Sequence, residues 1–154
     1  MLKLEGWVPA EFTLREHPIA MSHLSVSSNT ELSNEEKTAF EVAITLFELE
    51  LVDDGMTDSP DIAAVYLLND DTFTLSIVDS RPIGLFQNSI FLPVNRWREG
   101  RFTGVDISVA ILEELCHCFW HITDESMVKD KVTKIYNRWM PVTREALYAS
   151  FVNH

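Results

Sequence analysis

A chain of 154 residues is the size of one ordinary domain and is long enough to bury a core without staples. Its 46% apolar residues, with 5 glycines and 6 prolines, describe an ordinary globular fold. Twelve Lys and Arg against 24 Asp and Glu give a net charge of −12, which excludes direct nucleic acid and anionic membrane surfaces as expected partners and favours a basic protein, a cation or a metal.

The N-terminal run Met1–Trp7 has neither the basic lead nor the apolar stretch of a secretory signal, and no apolar run approaches the roughly 18–20 residues that span a bilayer. Cys116 and Cys118, at i, i+2, point to different sides of a helix, so no intrachain disulfide is expected and a reducing, cytoplasmic setting is. With no repeat and no linker rich in Gly, Ser or Pro, residues 1–154 read as a single domain.

Residues 1–32 carry the weakest signal. Short apolar pieces are interrupted by Pro9 and Pro18 and then by Ser25–Asn29, consistent with a strand and a loop. Ser33-Asn34-Glu35-Glu36 has the Ser-x-x-Glu form of a capping box, so a helix is expected to start there. Phe40, Ala43, Ile44, Phe47 and Leu51 then recur at helical spacing up to a stop before Gly55. Ile62–Leu68 is a short apolar run bounded by Asp-rich turns, and Phe73, Leu75 and Ile77 alternate with polar residues as a half-buried strand should. Segments 82–86 and 89–94 flank Gln87-Asn88 as a hairpin, with Pro82 and Pro93 pushing both toward a sheet edge. Arg96–Arg101 reads as a basic, solvated turn. Residues 106–123, 126–139 and 143–152 read as helices, the last two separated by Met140-Pro141.

The helix at 106–123 contains E-E-L-C-H-C-F-W-H at 113–121. Ile111, Leu112, Leu115, Cys116, Phe119, Trp120 and Ile122 share one broad arc, and the opposite arc holds Glu113, Glu114, His117, His121, Asp124 and Glu125. Side chains at i and i+4 can grip one ion about 2.0–2.2 Å from each ligating atom, and a neighbouring carboxylate such as Glu114 can then take a proton from the bound water. A polar arc opposite an apolar one is also what any surface helix shows, so the stripe alone weighs evenly between coordination and wetting.

The run E-E-L-C-H resembles the H-E-x-x-H helix of the zincin metallopeptidases, in particular the small ImmA/IrrE-like group, with Glu113 in place of the first histidine. The resemblance covers roughly residues 33–140. It implies an α+β domain with one N-terminal helix, a small three- to four-stranded, mostly antiparallel sheet, the motif helix and C-terminal helices. It further implies Glu114 as general base and Glu113, His117 and one of His121, Asp124 or Glu125 as metal ligands. The peptide or amide substrate would lie along an edge strand near Ile83–Phe86. Zinc is the metal the resemblance implies, while the added negative charge of Glu113 favours harder cations such as Mn²⁺ or Mg²⁺.

A different class of reading is a non-catalytic interaction or inhibitor protein. Glu31, Glu35, Glu36, Glu41, Glu48, Glu50, Asp53 and Asp54 concentrate charge around the first helix, which would face a basic partner surface.

Overall fold

A computed structural model describes the backbone of residues 2–4, 8–9, 17–70, 75–77 and 88–152, and the side chains of residues 17–70 and 88–143. In chain order the elements are β1 (Leu2–Leu4), β2 (Val8–Pro9), α1 (Pro18–His23), β3 (Leu24–Ser28), α2 (Asn34–Asp53), β4 (Ala63–Leu68), β5 (Leu75–Ile77), β6 (Asn88–Pro93), α3 (Val94–Glu99), α4 (Gly104–Phe119) and α5 (Glu125–Val152).

Helices and strands mix as an α+β domain should, but the main sheet is not mostly antiparallel. Its order is β2-β3-β4-β6, with β3, β4 and β6 parallel and β2 alone antiparallel to β3, while β1 and β5 form a separate antiparallel pair. Connectivity explains the direction. A helix placed between two neighbouring strands returns the chain to its starting end, and α2 joins β3 to β4 in this way. The expectation lacked β3, where Leu24 and Val26 are buried and alternate with Ser25 and Ser27. Its serines read as loop residues, although the spacing of Ser25 and Ser27 is that of a strand.

On the inner face, Val26, Val65 and Ile90 lie side by side in one row, and Ser28, Leu67 and Leu92 in the next. The apolar residues of these rows join Phe40, Ile44 and Phe47 of α2 and Ile111, Leu112, Leu115 and Phe119 of α4 in one core. Phe47 meets Phe119 edge-on with ring centroids 4.9 Å apart. α5 closes the core with Val128, Val132 and Ile135. Each fully buried side chain of this size stabilises the fold by about 1.5–3 kcal/mol.

Ser33 and Glu36 make the expected reciprocal cap at the head of α2. α4 starts two residues earlier than expected, because Thr103 and Asp106 form a second capping box, and it ends at Phe119 rather than continuing to 123. There the chain turns through His121, whose φ of 55° is left-handed and cannot propagate a helix. The two C-terminal helices are one: α5 runs unbroken from Glu125 to Val152 with Pro141 inside it. The missing proline N–H removes one rung of the helical ladder without ending the helix. The basic stretch at 96–101 is also not a solvated turn, since α3 occupies most of it and Trp97 is buried in the core.

β6 pairs in parallel with β4 and is the last strand of its sheet among the described residues, in keeping with Pro93 at its end. The expected hairpin partner at 82–86, the edge strand near Ile83–Phe86 and the strand position of Phe73 lie outside the described residues. Among the described residues no helix is long and apolar enough to cross a membrane.

Candidate functional site

The polar arc of α4 meets the start of α5 at one point. His117, in the last turn of α4, donates its Nδ1–H to the backbone carbonyl of Ile122, which requires the chain reversal through His121. That bond orients the ring so that Nε2 lies 3.4 Å from Oε1 of Glu125, the first residue of α5. A ring nitrogen fixed by a carbonyl, with the other turned toward an acidic group, is the posture metal-ligating histidines adopt.

Glu114 belongs to the same cluster. It is exposed by area, yet the atoms packed around its carboxyl partly desolvate it and raise its pKa; nearby His117 opposes the rise, and Glu125 and Glu113 add to it. Its openness to solvent limits what that rise is worth in energy. Beside it, Phe91, Leu92, Pro93, Trp97, Phe102 and Ala110 border a recess of about 260 Å³ between β6 and α4, with Glu113 and Glu114 on its wall.

The remaining expected ligands go elsewhere. Glu113 is half-buried on a ridge between this recess and two others, and no hydrogen bond or ion pair joins it to His117. His121 is not on the helical stripe, because α4 has ended; its Nε2 lies 3.0 Å from Oδ2 of Asp61. Asp124 caps α5, accepting the Met127 N–H at 2.9 Å through its side chain and the Val128 N–H through its carbonyl. Three of the six expected residues therefore converge: Glu114, His117 and Glu125.

Asp61 was not anticipated. Sixty positions separate it from His121, and nothing in its local sequence marks it. Also unanticipated was His23, 4% exposed, whose two ring nitrogens face the carbonyls of Asp61 (3.1 Å) and Thr57 (2.9 Å) and so fasten the 57–61 loop to α1.

Two donors each about 2.1 Å from a tetrahedral ion stand roughly 3.4 Å apart, so the His117–Glu125 separation of 3.4 Å has the bite of a cation site. No lysine or arginine among the described residues is paired with Glu114 or Glu125. Among the described residues no three His, Cys, Asp or Glu side chains are gathered in one group. The donor set fits a divalent cation held at two points and open elsewhere.

The cysteines next to this cluster are not activated. Burial pushes the Cys116 thiol up to about 12 and raises that of Cys118 as well, so neither is poised as a thiolate.

The acidic residues of α2 largely serve the fold. Glu35 accepts the N–H of Gly104 and Glu48 that of Ala20, while Glu36 binds Arg98. Glu50 and Asp54 share Lys131, and Asp53 pairs with Arg138. Six of the eight carboxylates that read as a partner-facing surface thus hold helices together.

Compared with known protein families, with curated proteins and with solved structures, the chain matches none.

Proposed function

We propose that this chain is a zincin-related hydrolase domain with a reduced metal centre, in which His117 and Glu125 hold a divalent cation and Glu114 is the proton-transferring carboxylate. The observation that carries the reading is the posture of His117: Nδ1–H on the Ile122 carbonyl and Nε2 at 3.4 Å from Glu125. When bound, a divalent ion supplies Lewis acidity, lowering the pKa of water and polarising a carbonyl.

The chain's own residues do the rest. A peptide segment lies in the recess between β6 and α4, where Leu92, Trp97 and Phe102 exclude water from one side of it. Glu114, on the same wall, has a carboxyl whose desolvation suits it to accept and return a proton. Glu113 stands outside the donor pair and its charge favours divalent cations in general, while the loss of the family's first histidine leaves one nitrogen donor and so a weaker preference for Zn²⁺ over Mn²⁺. His117 and Glu125 are its donors among the described residues, and activity on a peptide or amide bond is expected to depend on added metal.

Calorimetric titration with Mn²⁺ and Zn²⁺ tests this reading. One saturable site is expected in the parent chain, lost in His117→Ala and retained in His121→Ala. Equal binding in the parent and His117→Ala, or no saturable binding at all, overturns it.

A further inference from the structure

We infer that the protein carries a second binding site, remote from the acid–imidazole cluster, for a small amphiphilic cation with an apolar body and an ammonium-type head. Between α2, the start of α4 and the middle of α5, residues including Thr38, Ala39, Val42, Val105 and Met140 line a concave recess of about 550 Å³. That volume lies in the range of small-molecule sites.

Its lining accepts an apolar body at little cost. Ser108 Oγ donates to the Val105 carbonyl at 2.9 Å and shares a hydrogen bond with the Tyr136 hydroxyl, so these polar atoms already have partners. Filling the space with hydrocarbon strands neither of them.

The charge of the head follows from the rim. Among the described lining residues Glu35 carries the one charge. Its Oε1 accepts the Gly104 N–H at 2.8 Å, while its Oε2 takes no hydrogen bond from the described residues and remains open to a ligand. The start of α4 offers an anion little, because the N–H groups of Gly104 and Asp106 are taken by Glu35 and Thr103, and the Asp106 carboxylate stands at the same end. In a chain of net charge −12 this combination attracts a cation and repels an anion.

Three probes with one apolar cage and different heads separate these elements: 1-adamantylammonium, 1-adamantanol and 1-adamantanecarboxylate. Each is titrated into the full chain while the methyl signals of Val42, Val105 and Met140 are followed by NMR. The ammonium is expected to bind saturably and at least about ten-fold more tightly than the carboxylate. Glu35→Gln, which retains an acceptor for Gly104, is expected to weaken the ammonium roughly five-fold and leave the alcohol unchanged. Thr38→Trp, an exposed position on the rim, is expected to block all three while the circular dichroism of the chain stays that of the parent. Absence of saturable shifts at the three methyls with any probe overturns the site. Equal affinity for the carboxylate and the ammonium overturns its cationic specificity.

Discussion

Replacing Arg98 with alanine should unclamp α3 from the head of α2. The guanidinium grips both oxygens of Glu36, Nε at 3.0 Å and a terminal nitrogen at 2.9 Å, and also donates to the Glu31 carbonyl at 2.8 Å. Glu36 is only 5% exposed, so without Arg98 its carboxylate would be left with the Ser33 N–H as its remaining partner. Two charge-assisted bonds contribute about 1.5–3 kcal/mol each, and the Arg98 side chain is 38% exposed, so solvent screening roughly halves the sum. The expected loss is about 1.5–3 kcal/mol at neutral pH, with Arg98→Lys, which keeps the charge but loses the fork, falling between.

The loss should depend on pH in one direction. Burial alone would raise the Glu36 pKa, but the hydrogen bonds and charge of Arg98, with those of Ser33, hold it below its ordinary value of 4.5. A depressed carboxylate contributes stability above its unfolded pKa and loses it as pH falls through the lower folded value. The Arg98→Ala penalty should therefore be full at pH 6–7 and shrink as the medium is acidified below about 4.5. Urea unfolding followed by tryptophan fluorescence, repeated across that range, measures it. A penalty below about 0.5 kcal/mol at neutral pH, or one that grows on acidification, refutes the reasoning.

Glu50 is 3% exposed and accepts from Lys131 at 2.9 Å and from the Trp139 indole, so Glu50→Ala should cost about 3 kcal/mol in urea unfolding by stranding groups that join α2 to α5; a cost near zero would contradict its role. Pro141→Ala restores a ladder bond inside α5 and should raise the thermal midpoint by a few degrees, whereas a lower midpoint would show that the proline fits its site better than an N–H donor does. Because burial lifts the Cys116 thiol to about 12, iodoacetamide at pH 8 should label half-buried Cys118 well before Cys116 in the native chain, and equal labelling by mass spectrometry would show that the core opens readily.

Signals confined to a few neighbouring residues were legible in the sequence. The Ser33–Glu36 box located the head of α2, the Ile62–Leu68 run located β4, and the arc from Ile111 to Phe119 located the buried side of α4. Features set by distant partners were not. The direction of β3 and β6 depends on how the chain crosses between strands, which local alternation does not encode. Helical spacing assigned His121 to the stripe because periodicity does not mark where a helix stops, and here a left-handed residue stops it. Asp124 read as a ligand because a carboxylate on the polar arc and an N-cap look alike until the following helix is seen. Arg98 read as solvated charge because Glu36, its partner, is 62 positions away.

The most direct test of the proposed centre is paramagnetic line broadening by Mn²⁺ at substoichiometric concentration, followed by NMR. Resonances of His117 and Glu125 are expected to broaden most strongly, with Glu114 and Ile122 next and those of His121 and Asp61 less than any of these. Broadening centred on the Asp61–His121 pair, or spread evenly over the acidic surface, would contradict it.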